Sequence, residues 1–255
     1  MGNSFGRNVL GTVGKSIQLS ADGKPEMKVA GVTIDWSLVV AHSGADLTLE
    51  DGVVITDGEK YLRYGQPVSR VSVTEVQTLD LSPGADPTGG TWDITNIFGV
   101  PILDIPYNAS AATLQALIRA ALSEFAGSEK ITVSLATFVY TITFPLEFGN
   151  VPTITVDGSG MTTATAITVA TTTAGVANAG KFGPAYTDAT DGRQTLTRGG
   201  VFLVNETVKE TDLHSDHPPV LEGGKVWRAR IVTASPNPTL ANLETALPRL
   251  TYADF

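Results

Sequence analysis

Cysteine is absent from this chain of 255 residues, which excludes disulfides, thiolate metal sites and cysteine nucleophiles. A chain of that length can bury a core of its own, so neither a staple nor a structural metal is required. Histidine is scarce: His42, His214 and His217 set the limit on acid–base chemistry. No run approaches the roughly 20 apolar residues of a membrane span, so no membrane partner is expected. Positive charge is short too, with 17 Lys and Arg against 26 Asp and Glu and a net charge of −9. That balance argues against a nucleic acid held through its phosphates, and favours solubility or docking on a complementary surface. The opening MGNSFGRNVLGTVGKS has no continuous apolar core, so no signal peptide is expected.

Catalytic signatures are missing as well. There is no G-x-S-x-G elbow and no phosphate-cradling G-x-x-x-x-G-K-[ST] loop. Ser43 adjoins His42, but neighbouring side chains rarely face each other as a nucleophile and its base must. Gly89-Gly90 and Gly199-Gly200 read as turns, and no carboxylate pair sits in the apolar setting that raises a pKa. The one ligand-like cluster is Asp212-Leu213-His214-Ser215-Asp216-His217, whose imidazoles and carboxylates suit a surface divalent ion. A polar loop closed by Pro218-Pro219 is the plainer reading. Neither an enzyme nor a cofactor is expected.

What the chain does contain is a change of style in its middle. Residues 76–175 are rich in Thr, Ala and Val, and their only basic residues are Arg119 and Lys130. The flanks carry charged turns, Gly-led loops and the arginines Arg63, Arg70, Arg193, Arg198, Arg228 and Arg230. A solvated β face accounts for these arginines. Forked pairs across a subunit interface are the alternative, with Arg63, Arg193, Arg198 and Arg228 the candidates. The pattern predicts a discontinuous domain, 31–75 plus 176–255, interrupted by an inserted β-rich domain at 76–175. Residues 1–30 read as an extended arm, glycine-rich yet carrying Val9, Leu10, Val13, Ile17 and Leu19, which suits pairing as a strand against a partner.

Period-2 patterns predict a mainly β fold. In the flanks, strands are expected at 34–40, 47–49, 52–55, 61–64, 71–76, 201–204 and 226–232, with Pro67 at a strand edge or end. In the insert they are expected at 76–81, 92–98, 131–135, 138–144, 153–156 and 166–172, the Thr alternation suiting a sheet with one wet face. Leu114, Leu117, Ile118, Ala121, Leu122 and Phe125 recur at helical spacing, with Asn108 or Ser110 as cap and Gly127 as stop. A second, short helix is expected in PNPTLANLETALPRL on a Leu240, Leu243 and Leu247 face. Trp92 follows a turn-rich loop and reads either as a half-buried strand residue or as a sugar-stacking rim residue.

The runs DGEKYLRYGQ (57–66), TDGRQTLTRGGVFLVNETV (190–208) and HPPVLEGGKVWRARI (217–231) resemble tailed-bacteriophage head decoration proteins of the lambda type. The central PTGGTWDITNIFGV…VPTITVDGSGMTT is similar to a β-rich module that recurs in phage structural proteins as an insertion or appendage. The resemblance implies a β-tulip-like domain that assembles as a homotrimer on the outer capsid surface of the virion. There it would bind the major capsid protein and stabilise the expanded shell, its N-terminal arm adding a strand. The alternative is a surface-exposed binding module that attaches to a host glycan or protein through the insert, with Trp92 and the 83–90 loop foremost.

Overall fold

A computed structural model of the chain describes residues 26–27, 32–163, 166–213 and 215–253. The fold is mainly β, with two helices and several antiparallel sheets. It divides into two compact units, one formed by residues 72–180 and the other by the flanks, up to residue 71 and from residue 181 onward. Composition changes at 76 and 175, whereas the contacts change a few residues further out on each side.

The flanking unit is organised around a sheet in which Glu26–Met27, Val220–Trp227, Val201–Val204, Pro67–Arg70 and Phe182–Pro184 lie side by side in that order. Val201–Val204 is buried along its whole length. Val201 and Leu203 join one cluster with Tyr64, Leu221, Val226, Leu243 and Leu250, while Phe202 and Val204 join another with Trp36, Leu62, Val68 and Val220. A strand covered on both faces needs an unbroken apolar run, and VFLV is one. Leu250–Ala253 runs parallel to Val220–Trp227. The helix Leu240–Ala246 is capped by Thr239, whose hydroxyl accepts from the Asn242 N–H, and it buries Leu243 and Ala246.

The inserted unit combines two antiparallel sheets with one helix. Val76–Asp80 is flanked by Thr168–Thr173 and Val139–Thr143, and the latter also pairs with Thr132–Ala136. Gly89–Ile97 carries Val100–Pro106, Thr155–Asp157 and Met161–Thr162. Inward Tyr140 and Ile142 alternate with half-buried Val139, Thr141 and Thr143, as a one-faced sheet requires. The helix Ala111–Ala121 starts at Ser110, whose hydroxyl accepts from the Thr113 N–H, and buries Leu114 and Ile118. Arg119 donates twice to the Ile131 carbonyl, tying the helix to the segment before the 132–136 strand.

The base of this unit is held by two polar side chains in a dry place. Glu75 is 1% exposed and Gln77 is 0% exposed. The Glu75 carboxyl accepts from the Gly175 N–H at 2.5 Å, from the Val151 N–H at 3.4 Å and from Gln77 Nε2 at 3.0 Å. Gln77 also donates to the Val151 and Pro152 carbonyls and accepts from the Ile154 N–H. Incoming and outgoing chain are thereby joined directly, and residues 72–75 belong with the insert for this reason. Gly175 sits so close to the Gly149 backbone that an added Cβ would lie 2.1 Å from the Gly149 carbonyl oxygen.

Several local expectations differ from the structure. Residues 34–40 form no strand beyond a single bridge at Ile34, because the Asp35 carboxyl accepts from the Ser37 N–H and starts a 3-10 turn at Trp36–Leu38. Residues 71–75 form no strand and instead link Pro67–Arg70 of the flanking sheet to Val76–Asp80 of the insert. Pro67 opens an inner strand rather than marking an edge. Residues 228–230 make a 3-10 turn, while the strand before them starts as early as Val220 and runs through Gly223-Gly224, whose backbones are paired on the sheet. Phe125 lies beyond the helix end and is 37% exposed, stacked with Phe98 and Phe148 instead of continuing the buried helical face.

Removing the Glu75 side chain strands two backbone donors, the Val151 and Gly175 N–H groups, in a dry site, each costing about 1–3 kcal/mol. Glu75→Ala is therefore expected to destabilise the chain by about 3 kcal/mol or more, and Gly175→Ala to do comparable harm by collision, both read from urea unfolding. Burial raises the pKa of Tyr64, Tyr140, Tyr186 and Tyr252 above the ordinary phenol value. Unfolded tyrosine ionises near pH 10 while the folded phenols stay neutral, so their stability contribution is complete below about pH 10 and lost above it. The melting temperature is expected to be level from pH 7 to about 9 and to fall beyond about 10, less steeply in Tyr252→Phe.

Candidate functional site

The three flank runs that carry the resemblance are distant in sequence and adjacent in space. Tyr61–Leu62 pairs with Val208–Lys209, and Pro67–Arg70 pairs with Val201–Val204. Val201–Val204 pairs in turn with Val220–Trp227. The connections agree: the Gly65 N–H donates to the Val204 carbonyl, the Val204 N–H to Gln66 and the Asn205 N–H to Pro219. Of residues 1–30, the described part is Glu26–Met27, an antiparallel strand on Val220–Trp227 with Glu26 opposite Gly223 and Met27 opposite Leu221. Val9, Leu10, Val13, Ile17 and Leu19 lie outside the described residues.

The charged turn of the first run is consumed by its own unit. Glu59 accepts from the Thr56 N–H at 2.7 Å and from Lys209 Nζ at 2.9 Å. The backbone hydrogen bond first, and Lys209 second, hold its carboxyl below the usual carboxylate range. Lys60 Nζ donates to the Trp36 carbonyl and stands 3.9 Å from Glu210.

The four candidate arginines separate by environment. Arg193 is 8% exposed; its Nε pairs with Asp191 at 2.9 Å and its Nη1 donates to the Pro184 carbonyl at 2.8 Å. Its own carbonyl accepts from the buried Ser69 hydroxyl. Arg193 thus fastens the edge strand Phe182–Pro184 and the strand Pro67–Arg70 to the 190s loop. Arg228 pairs with Glu244 of the C-terminal helix at 3.0 Å. Arg63 lies over the Tyr64 ring, 5.9 Å from its centroid. Arg198 is exposed.

Arg198 borders a cleft of about 300 Å³ whose walls are Gly199, Val201, Phe202, Ala246, Leu247, Pro248 and Arg249. The cleft runs between the start of the 201–204 strand and the end of the 240–246 helix, and the apolar side chains along it, Val201, Phe202 and Leu247, are buried. Beyond the Val208–Lys209 strand, Leu213 is 92% exposed. Neither Leu213 nor Arg249 stood out in the sequence. The available signal was a lone leucine among acidic and polar neighbours in TDLHSD.

The remaining candidates are structural in their contacts. His42 Nε2 lies 2.9 Å from the Ala45 carbonyl, and His217 Nε2 lies 3.3 Å from the Thr33 hydroxyl. His214 lies outside the described residues, and among the described residues no three His, Asp or Glu side chains gather as metal ligands do. Trp92 is 1% exposed with its ring 5.9 Å from that of Tyr140, so it is a core residue and offers no face to a sugar. Glu75 was also missed, although its parity matches that of inward Gln77 and Leu79. Compared with protein-family models and with curated proteins, the sequence matches none of either.

The arginine environments separate in stability. Arg193→Ala breaks a nearly buried pair and leaves Asp191 only the backbone N–H of residue 193, so a loss of about 3 kcal/mol is expected. Arg198→Ala touches only surface and is expected to change stability by less than about 0.5 kcal/mol. Chemical denaturation of the two variants makes the comparison.

Proposed function

We propose that the protein is a structural virion component that binds the outer face of a tailed-phage capsid as a homotrimer and stabilises the expanded shell. The observation that carries this reading is the assembly of the three family-like runs, 57–66, 190–208 and 217–231, into one hydrogen-bonded unit. A likeness of scattered turns alone would not require these segments to meet.

The strand Glu26–Met27 adds support, since it brings the end of the N-terminal region to the sheet beside Val220–Trp227. A segment entering there can extend its pairing onto a neighbour by strand addition, in which main-chain hydrogen bonds supply affinity. Many copies on one particle multiply a modest contact through avidity. The major capsid protein is the partner in this reading, and a net charge of −9 keeps decorated particles apart in solution. The insert is then a displayed module; with Trp92 buried, no observation favours glycan binding through it.

Purified protein added to expanded tailed-phage heads that lack decoration is expected to sediment with them and raise their disruption temperature. Deleting residues 1–20 is expected to abolish both effects. Full binding by the truncated chain would remove the arm from the proposal, and no binding by the intact chain would end it.

A further inference from the structure

Each of the two units is complete in its core and in its polar closure. The buried cluster that contains Trp92, Tyr140 and Phe144 takes every member from residues 72–180. The two clusters of the flanking unit take theirs from residues up to 71 and from 181 onward. The buried polar groups divide in the same way. Glu75 bonds Gly175, Val151 and Gln77 inside the insert, whereas Arg193 bonds Asp191 and the Pro184 carbonyl inside the flanking unit. The junction itself has a regular geometry. Gly183 stands opposite Ser69 and Phe182 opposite Arg70, and the Val71 N–H donates to the Lys181 carbonyl at 2.8 Å. Val71 and Lys181 are therefore the next pair of the same antiparallel ladder, the place where a two-residue hairpin turn closes such a pair. The insert stands where that turn would be.

We infer that the two units fold and unfold as independent domains, and that the flanking unit keeps its fold and its particle-binding surface when a two-residue turn replaces residues 72–180. The second half rests on the capsid reading above; the first does not. A unit of about 110 residues is large enough to bury a core of its own. Its ends are brought together by its own strands, Val76 standing opposite Thr173, so its folding does not need the flanks to hold them. The flanking ladder then closes over a short gap rather than over a long loose loop, which lowers the entropy lost on closure. A single cooperative structure would need buried residues shared between the units, and the clusters share none. The runs 57–66, 190–208 and 217–231 and the Glu26–Met27 strand all belong to the flanking unit, which places the proposed capsid contact there.

Scanning calorimetry of the full chain tests the independence. Two transitions are expected. Glu75→Ala is expected to lower one midpoint by roughly 10 °C or more and Arg193→Ala the other by a similar amount, each leaving the second transition in place. Where the wild-type midpoints coincide, each variant is expected to split the single peak in two. Glu75→Gln and Arg193→Lys serve if an alanine variant does not fold. One peak that moves whole in either variant overturns the inference. A chain in which Asn-Gly replaces residues 72–180 is expected to melt at the midpoint that Arg193→Ala shifts, and to sediment with expanded, undecorated heads as the full chain does. An excised chain that is unfolded overturns the inference too. A folded excised chain that no longer binds heads, while the full chain does, overturns its second half by moving part of the contact to the insert. A full chain that binds no heads ends the capsid reading, and the calorimetric result stands apart from it.

Discussion

The architecture depends on closing the chain twice where one unit interrupts the other. On the flanking side, Phe182 stands opposite Arg70 and the Val71 N–H donates to the Lys181 carbonyl. On the inserted side, Val76 stands opposite Thr173 and Glu75 binds the Gly175 N–H. Each unit thereby has its own seam. Closing a loop of about 110 residues without such a seam costs roughly 4 kcal/mol of chain entropy, which the folded insert offsets by ordering its own ends. The Glu75–Gln77 pair is what lets the second seam stay dry, since the two side chains bond each other and the backbone groups of residues 151, 152, 154 and 175.

Charged groups follow the same division between inner work and free surface. Arg193 and Asp191 are nearly buried and serve three segments of the flanking unit. Glu59, Lys60 and Lys209 join the 54–62 region to the 208–210 region at the surface. Arg198 stands in the open at the border of a cleft. Arginines that look alike in sequence, Arg193 and Arg198 among them, thus have unlike costs of removal, because desolvation and hydrogen bonding, not residue type, set the energy of a charge.

Much of the β pattern was legible. Val201–Val204 lies where an unbroken apolar run placed it, and Val139–Thr143 alternates as TFVYTITF implies. The helix beginning after Ser110 and the one at Leu240–Ala246 follow from periodicity and caps. The failures have two causes, one local and one tertiary. Asp35 captures a backbone N–H and turns a β-rich run into a 3-10 turn, and Gly223-Gly224 remains in a strand because neighbours on the sheet pair with its backbone. Local propensity cannot register the distant strands, Glu26–Met27 and Leu250–Ala253, that hold the glycine pair in its sheet. Of the candidate surface, the arginines were legible as residues, while the cleft beside Arg198 was not, since its walls come from 198–202 and 246–249.

By itself, then, the sequence determined that the protein is mainly β, that its middle differs from its flanks, and that cysteine chemistry is excluded. These are properties of composition and short-range period, which survive any arrangement of the chain. Only the tertiary structure decided where the insertion begins, because Glu75 is an unremarkable acid until a buried backbone surrounds it. It alone decided that Trp92 faces a core, that Arg193 is internal, and that Leu213 stands clear of the surface. Exposure and pairing are relations between distant segments, so they exist only once those segments have met.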